Sequence, residues 1–375
     1  MTGEEVNAFI PFPLPPRDPP LALDDNLAQL LARASEQLRL LDLAGDLVPS
    51  VEWFVYAFVR KEAVLSAQIE GMQATLMDLL EVEASGKAPV DADVEEVCGY
   101  LDALNFAWKE LGRDTGAPLS MRLLSQAHER LLAGARGAGN QPGEVRRSQN
   151  WIGGTQPGNA SFVPPPPRRL GDLLSEFEHA IHGESDLPPL VLIGLLHVQF
   201  ETLHPYLDGN GRLGRLLITL LLRHWNLLSR PLLYLSLFLK VHRQEYYRRL
   251  SAVRSDGDWE GWLAFFLEGV ATVAEEAIAT ARRLHTIVGE AREKLLARED
   301  ATVLSLRLFE MLPQHPLITV KRAVDLLDCS RPAAAKAIRV LEAAAVLQPL
   351  DARKKNRTLV FREYLDHLSE GTDVV

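Results

Sequence analysis

Apolar residues recur along most of the chain at three- and four-residue spacing, the signature of one helix face, and predict a mostly helical protein. Leu27, Leu30, Leu31, Leu38 and Leu41 form such a stripe over residues 25–47. Further stripes predict helices over 51–80, over 91–108 (Val94, Val97, Leu101, Leu104 and Ala107) and over 119–132. Residues 190–203 and 216–222 are apolar on most faces and read as two buried helices joined by a polar loop. A helix from Arg243 and a long one over 259–298 follow, with Trp259 and Trp262 at core spacing. Three stretches depart from the pattern. Residues 10–20 are Pro-rich and predict an extended arm lying along its own domain. Residues 134–142 form a Gly-rich loop. Residues 145–167 read as a hairpin, with Trp151-Ile152 and Phe162-Val163 as short strands around turn signals at 156–159.

The last stretch has its own pattern. Helices are expected over 304–312, 319–327 and 330–341, with Thr319 and Ser330 as N-caps, and then a hairpin from 346–348 and 358–361. Three helices and a hairpin describe a winged helix.

Composition refines this picture. A chain of 375 residues, 47% hydrophobic and 24% charged, can bury a large core and divide into two or three domains. Its net charge of −10 argues against a general nucleic-acid surface, yet residues 313–362 hold ten Lys or Arg against four Asp or Glu. Arg331, Lys336 and Arg339, with Arg353, Lys354, Lys355 and Arg357 at the hairpin tip, suit either DNA phosphates or a protein partner, and the two readings stay level. Cys98 and Cys329 are far apart, match no metal spacing and suggest a cytoplasmic location. The acidic, then Pro-rich N-terminus does not read as a signal peptide, and the apolar run at 213–222 is too short to span a bilayer, so no membrane partner is expected.

The chemistry concentrates in the loop between the two buried helices, His204-Pro205-Tyr206-Leu207-Asp208-Gly209-Asn210-Gly211-Arg212-Leu213-Gly214-Arg215. A residue before proline avoids the α region, so the first helix should end near His204. Gly-Asn-Gly then opens the second helix, whose free N–H groups and positive dipole end favour an anion. Arg212 and Arg215, three apart, suit further phosphate oxygens. Asp208 suits a magnesium ion, and His204 is left to move a proton. Together these read as a site for nucleoside triphosphate chemistry. Gly209-x-Gly211-x-x-Gly214 also matches the dinucleotide fingerprint, but its flanks are helical and no acid lies about twenty residues on; a Walker A loop is absent too. His128 reads as a core or surface side chain, and His197 with Glu201 as a satisfied core pair rather than a metal site.

This loop resembles the active-site motif of the Fic family, H-P-F-x-[D/E]-G-N-G/K-R-x-x-R, departing from it at Tyr206, where Phe is usual. That ring should pack under the loop, and its hydroxyl needs a partner. Ser66-Ala67-Gln68-Ile69-Glu70-Gly71 resembles the family's inhibitory motif, S/T-x-x-x-E-G/N. The resemblance, which covers roughly residues 60 to 265, implies an all-α Fic core with a β-hairpin flap; with the winged helix read from the C-terminal pattern, the expected parts are an N-terminal helical region (1–115), the Fic core (116–298) and a C-terminal winged helix (299–375). It implies transfer of AMP from ATP to a Ser, Thr or Tyr hydroxyl of a protein, self-modification included. His204 is then general base, Asp208 the Mg²⁺ ligand, and Gly209, Asn210, Gly211, Arg212, Leu213, Gly214 and Arg215 bind nucleotide. Tyr246 and Tyr247 resemble the adenine cover, with core packing as the competing reading. The flap residues Trp151, Ile152, Gly153 and Gly154 would dock a target segment by strand addition. Ser66, Glu70 and Gly71 would inhibit through a Glu70–Arg215 pair. A DNA-binding regulator with an auxiliary Fic site, and AMP removal or transfer of another phosphate-linked group, stay open, as does a homodimer.

Overall fold

The computed structural model describes residues 7–47, 51–113, 116–134, 139–350 and 357–374. Its first helices are α1 (Asp25–Leu47), α2 (Val51–Ile69), α3 (Leu76–Ser85) and α4 (Ala92–Leu111). Next come α5 (Met121–Leu131), α6 (Pro167–His182), α7 (Pro189–Leu203), α8 (Asn210–His224), α9 (Ser236–Val241), α10 (Arg243–Asp256) and α11 (Trp259–Leu296). The chain then forms α12 (Val303–Met311), β1 (Leu317–Thr319), α13 (Val320–Leu327), α14 (Arg331–Ala343), β2 (Gln348–Pro349), β3 (Thr358–Val360) and α15 (Arg362–Leu368).

The two apolar runs are at the centre. Every residue of α7 after Pro189 is buried, and α8 is buried from Arg212 to Leu222. A helix apolar all round can only sit inside a larger core. Around it, α1 lies along α11 with Leu27, Ala34, Leu38 and Leu41 inward, while α4 packs on α5. The Pro-rich arm runs over this core as expected. Gln199 Nε2 donates to the Phe12 carbonyl at 3.0 Å, Phe9 N–H to the Val163 carbonyl at 2.9 Å, and Ala22 N–H to Glu260 at 2.8 Å.

The helix expected over 51–80 is two helices. Gly71, at φ +92°, takes a conformation open to glycine at little cost, and Thr75 restarts the chain with a capping box to Asp78. Glu70 therefore lies just past the end of α2 rather than within a helix. The expected hairpin at 145–167 is reduced to one antiparallel bridge, Ile152 with Phe162. Gly153 and Gly154, at φ +70° and +69°, turn it; a Cβ on Gly154 would lie 2.4 Å from the Asn159 carbonyl oxygen.

The C-terminal helices fall where expected, and Thr319 caps α13 through Arg322 N–H, whereas the Ser330 hydroxyl makes no cap bond to α14. β1 was not expected. It completes an antiparallel sheet of order β1-β3-β2, with Leu317 and Gln348 both opposite Val360. Arg353, Lys354 and Lys355 lie outside the described residues. α15 returns onto α11 and β1 meets α3, so one cluster of buried side chains extends from α1 to α15. Among the described residues no helix is long and apolar enough to cross a membrane.

Candidate active site

The loop from His204 to Arg215 is held by side chains from α2, from α5 and from the stretch before α6, and Asp208 is its one exposed residue. His204 ends α7 at φ +48°, ψ +59°, and Arg146 supports it there. The buried Arg146 guanidinium donates from Nε to the His204 carbonyl at 2.9 Å, and reaches the Pro165 carbonyl at 2.5 Å and that of Ser148 at 3.2 Å. Arg146 N–H also donates to the Pro205 carbonyl at 2.9 Å, so one residue joins the base of the flap to the backbone of His204. The His204 Nδ1 is buried with no hydrogen-bond partner among the described residues. Burial, then the charges of Arg254 and Arg146, hold the imidazole down at about 4, against the pull of Glu70 and the Glu201 carbonyl, so it is neutral at pH 7.

Tyr206 packs under the loop. Its hydroxyl shares a hydrogen bond with Ser125 at 2.9 Å, and its ring stacks on His128 with centroids 3.9 Å apart. His128 is a core residue that also shapes the site. Its Nδ1 accepts from Gly143 N–H, leaving Nε2 to donate to the Asp208 carbonyl, each at 2.9 Å. Asn210 closes the loop on itself, accepting from Tyr206 N–H at 2.9 Å and donating to the Tyr206 carbonyl at 2.8 Å. Its side chain is thus committed to the loop, and only its backbone remains for an anion. Leu213 is likewise buried in the core. Gly214 leaves room for Glu201, whose Oε1 would lie 2.4 Å from a Cβ there.

The Asp208 side chain is 49% exposed, accepting from Gly209 N–H at 2.6 Å and from Asn140 Nδ2 at 3.0 Å. Arg212 pairs with Glu96 of α4 and lies 3.9 Å from Asp208. Arg215, fully inside, donates to Ser66 Oγ at 2.9 Å, to the Ser66 carbonyl at 3.0 Å and to Glu70 at 2.7 Å. Burial opposes both charges of this pair, yet their attraction outweighs it: Glu70 stays below the ordinary carboxylate range and Arg215 above its own. Glu70 does more than hold the guanidinium. A Cβ on Gly211 would lie 2.4 Å from Glu70 Oε1, so the carboxylate rests against the first turn of α8, where a helix attracts anions.

Several expected residues lie elsewhere than the sequence suggested. Tyr246 is buried and donates its hydroxyl to His197 Nε2 at 2.8 Å, which is core packing; Tyr247, 40% exposed, is the accessible ring of the two. His197 donates from Nδ1 to the Gly214 carbonyl at 3.0 Å and does not pair with Glu201, so the expected core pair is absent. Glu201 Oε1 is buried without a hydrogen-bond partner among the described residues, and burial pushes the carboxyl up to about 7. In the flap, Ile152 exchanges backbone bonds with Phe162, and Trp151 stands 39% exposed. Arg146, Glu96 and Arg254 were not foreseen. Arg254 lies 4.0 Å over the Phe162 ring and donates to Thr202, joining the flap to the end of α7. No short motif marks these three, because each acts across a long sequence separation.

Among the described residues no group of three or more His, Cys, Asp or Glu could hold a metal by itself. Asp208 still fits magnesium, which is commonly bound by one or two carboxylates with phosphate oxygens and waters.

Comparison with known proteins agrees with this geometry. The Fic/DOC family N-terminal profile matches residues 28–109 and the Fic/DOC family profile residues 118–222. A Drosophila virilis protein named Protein adenylyltransferase Fic is 32% identical over 163 residues, 42% of this chain and 32% of that one. Its Drosophila grimshawi namesake is 29% identical over 208 residues, 54% and 39% of the two chains. The chain thus matches between about a third and two fifths of the length of these relatives. In fold, it is similar to a Fic family protein from Desulfovibrio desulfuricans G20 (TM-score 0.58, 20% identity, 91% of this chain and 97% of that one). It is also similar to Fic-1 from C. elegans (TM-score 0.51, 20% identity, 68% and 72%). The first profile takes in Ser66–Gly71 and the second the loop from His204 to Arg215, so both segments of the candidate site lie in sequence that matches the Fic/DOC family.

Proposed function

We propose that the chain transfers AMP from ATP to a hydroxyl side chain of a protein and is held inactive by Glu70. The observation that carries this reading is the grouping on one loop of a neutral His204, the first turn of α8 and the two arginines, with a carboxylate resting where a phosphate would go. The Gly209–Gly211 backbone would cradle the inner phosphates, and Arg212 and Arg215 the outer ones once Glu70 has left. The target hydroxyl attacks the α-phosphorus in line and pyrophosphate departs. His204 takes the hydroxyl proton, and Nε2 is the nitrogen available because Nδ1 is buried. Asp208 would hold Mg²⁺, which supplies charge neutralisation on the phosphates when bound. Tyr247, the exposed ring of the pair, would cover the base, and the Trp151–Gly154 edge of the flap would seat the extended target segment.

The test uses ATP labelled at the α-phosphate. His204→Ala should lose label transfer while keeping ATP affinity, since His204 has no anion to bind. Equal transfer by variant and parent overturns the assignment.

A second reading concerns the C-terminal unit alone. Arg331, Lys336 and Arg339 are all exposed on α14. We infer that this face contacts the phosphates of duplex DNA, adding location to the activity of the loop.

A further inference from the structure

Gln68 stands between Ser66 and Glu70 in sequence but points away from Arg215, as a two-residue step of about 200° on a helix requires. Its Nε2 donates to the Ala74 carbonyl at 2.9 Å and to the Thr372 carbonyl at 2.8 Å, in a buried setting. The first bond closes the turn that carries Glu70. The second reaches the opposite end of the chain. There the residues after α15 are fixed at further points. Lys240 of α9 donates to the carbonyls of Gly371 at 3.2 Å and Asp373 at 2.5 Å. Thr372 is itself buried, its hydroxyl donating to the Ser369 carbonyl at 2.7 Å. A Cβ on Gly371 would lie 2.7 Å from Leu237, so the tail is pressed onto α9 as well as α2.

We propose that residues 369–374 form an intramolecular strap, docked on Gln68 and Lys240, that keeps the 70–74 turn closed and Glu70 on Arg215. The C-terminal unit thereby sets the strength of inhibition. This rests on the inhibitory reading of Glu70 given above. With the strap detached, Gln68 keeps one carbonyl and loses the other, and the turn holding Glu70 is no longer tied to a second element. An amide offers two N–H donors, so the loss leaves one of them, on the buried Gln68 side chain, without its protein partner, while the Thr372 carbonyl passes to water.

Lys240→Ala tests this in the full chain, because it loosens the strap without touching α2 or the loop. Two readouts are taken: hydrogen exchange of amides 66–74, and label transfer from ATP in the Glu70 and Glu70→Gly backgrounds. Exchange should quicken, and transfer should rise about three- to tenfold, the range carried by one or two hydrogen bonds. In the Glu70→Gly background transfer should not change, since the restraint being loosened is already gone. Unchanged exchange, or an equal rise in both backgrounds, overturns the strap. If Glu70→Gly itself transfers nothing, the activity reading fails, and exchange alone decides for or against the strap.

Discussion

Glu201 and Glu62 are carboxyls placed deep inside the protein, and burial pushes each up to about 7. Glu62 is relieved by Ser236, which donates from its N–H at 3.0 Å and from its hydroxyl at 2.5 Å; Glu201 Oε1 has no such relief. A carboxyl whose folded value lies above its unfolded one, about 4.3, binds more protons folded than unfolded between the two. Stability therefore falls as pH rises from about 4.3 to about 7 and is level above that. Glu201→Gln removes this loss. Thermal melting should show a stabilised variant, by about 2 °C or more at pH 8, with a smaller gain at pH 5. At this scale the sequence was legible only where chemistry is contiguous. His204, Asp208, Arg212 and Arg215 could be read as a group because one loop carries them. The use of Asn210 as a loop clamp could not, since its partner Tyr206 is visible only once the chain has turned. Arg146 escaped for a related reason: its partners are backbone carbonyls, which leave no mark in sequence.

Helices were the most legible elements, because a buried stripe repeats several times within each. The stripe of α4 through Val94, Val97, Leu101, Leu104 and Ala107 is the buried face it predicts, with Leu101 at its edge. Apolar periodicity continued across residues 70–75, however, and so hid the break there. The signs that overrode it were Gly71 and the Thr75–Asp78 capping box, both local and both short. That break matters, because a carboxylate just past the end of α2 can leave Arg215 without unwinding a helix. Glu70→Gly should accordingly raise AMP transfer, self-modification included, by about 10- to 1000-fold, or about 1.4–4 kcal/mol. The upper end is the cost of a buried pair and the lower allows for a Glu70 side chain that is 35% exposed. The gain should vanish with Arg215→Ala added, measured with the same labelled ATP. A fall in activity on Glu70→Gly would instead favour a carboxylate that orients water for AMP removal.

Across the whole molecule, charge is unevenly spread. A chain of net −10 has an excess of six positive charges between residues 313 and 362, ten Lys or Arg less four Asp or Glu. Not all ten cations are free, since Arg357 donates to Glu342 at 2.9 Å. Arg331, Lys336 and Arg339 are exposed, and they project from the helix that follows α13, the position from which a helix can enter a major groove. Three phosphate contacts give a slope of about −2.7 in log affinity against log salt. Binding of the full chain to duplex DNA should therefore weaken about fortyfold between about 50 and 200 mM salt. The acidic remainder of the chain works against approach to DNA, so the affinity should be low even at the lower salt. Replacing Arg331, Lys336 and Arg339 together by alanine should abolish it and leave AMP transfer intact, because α14 contributes nothing to the loop. Fluorescence anisotropy of a labelled duplex measures both effects. Binding that ignores salt, or that survives the triple replacement, would mean that this face does not grip a phosphate backbone and is a surface for another protein.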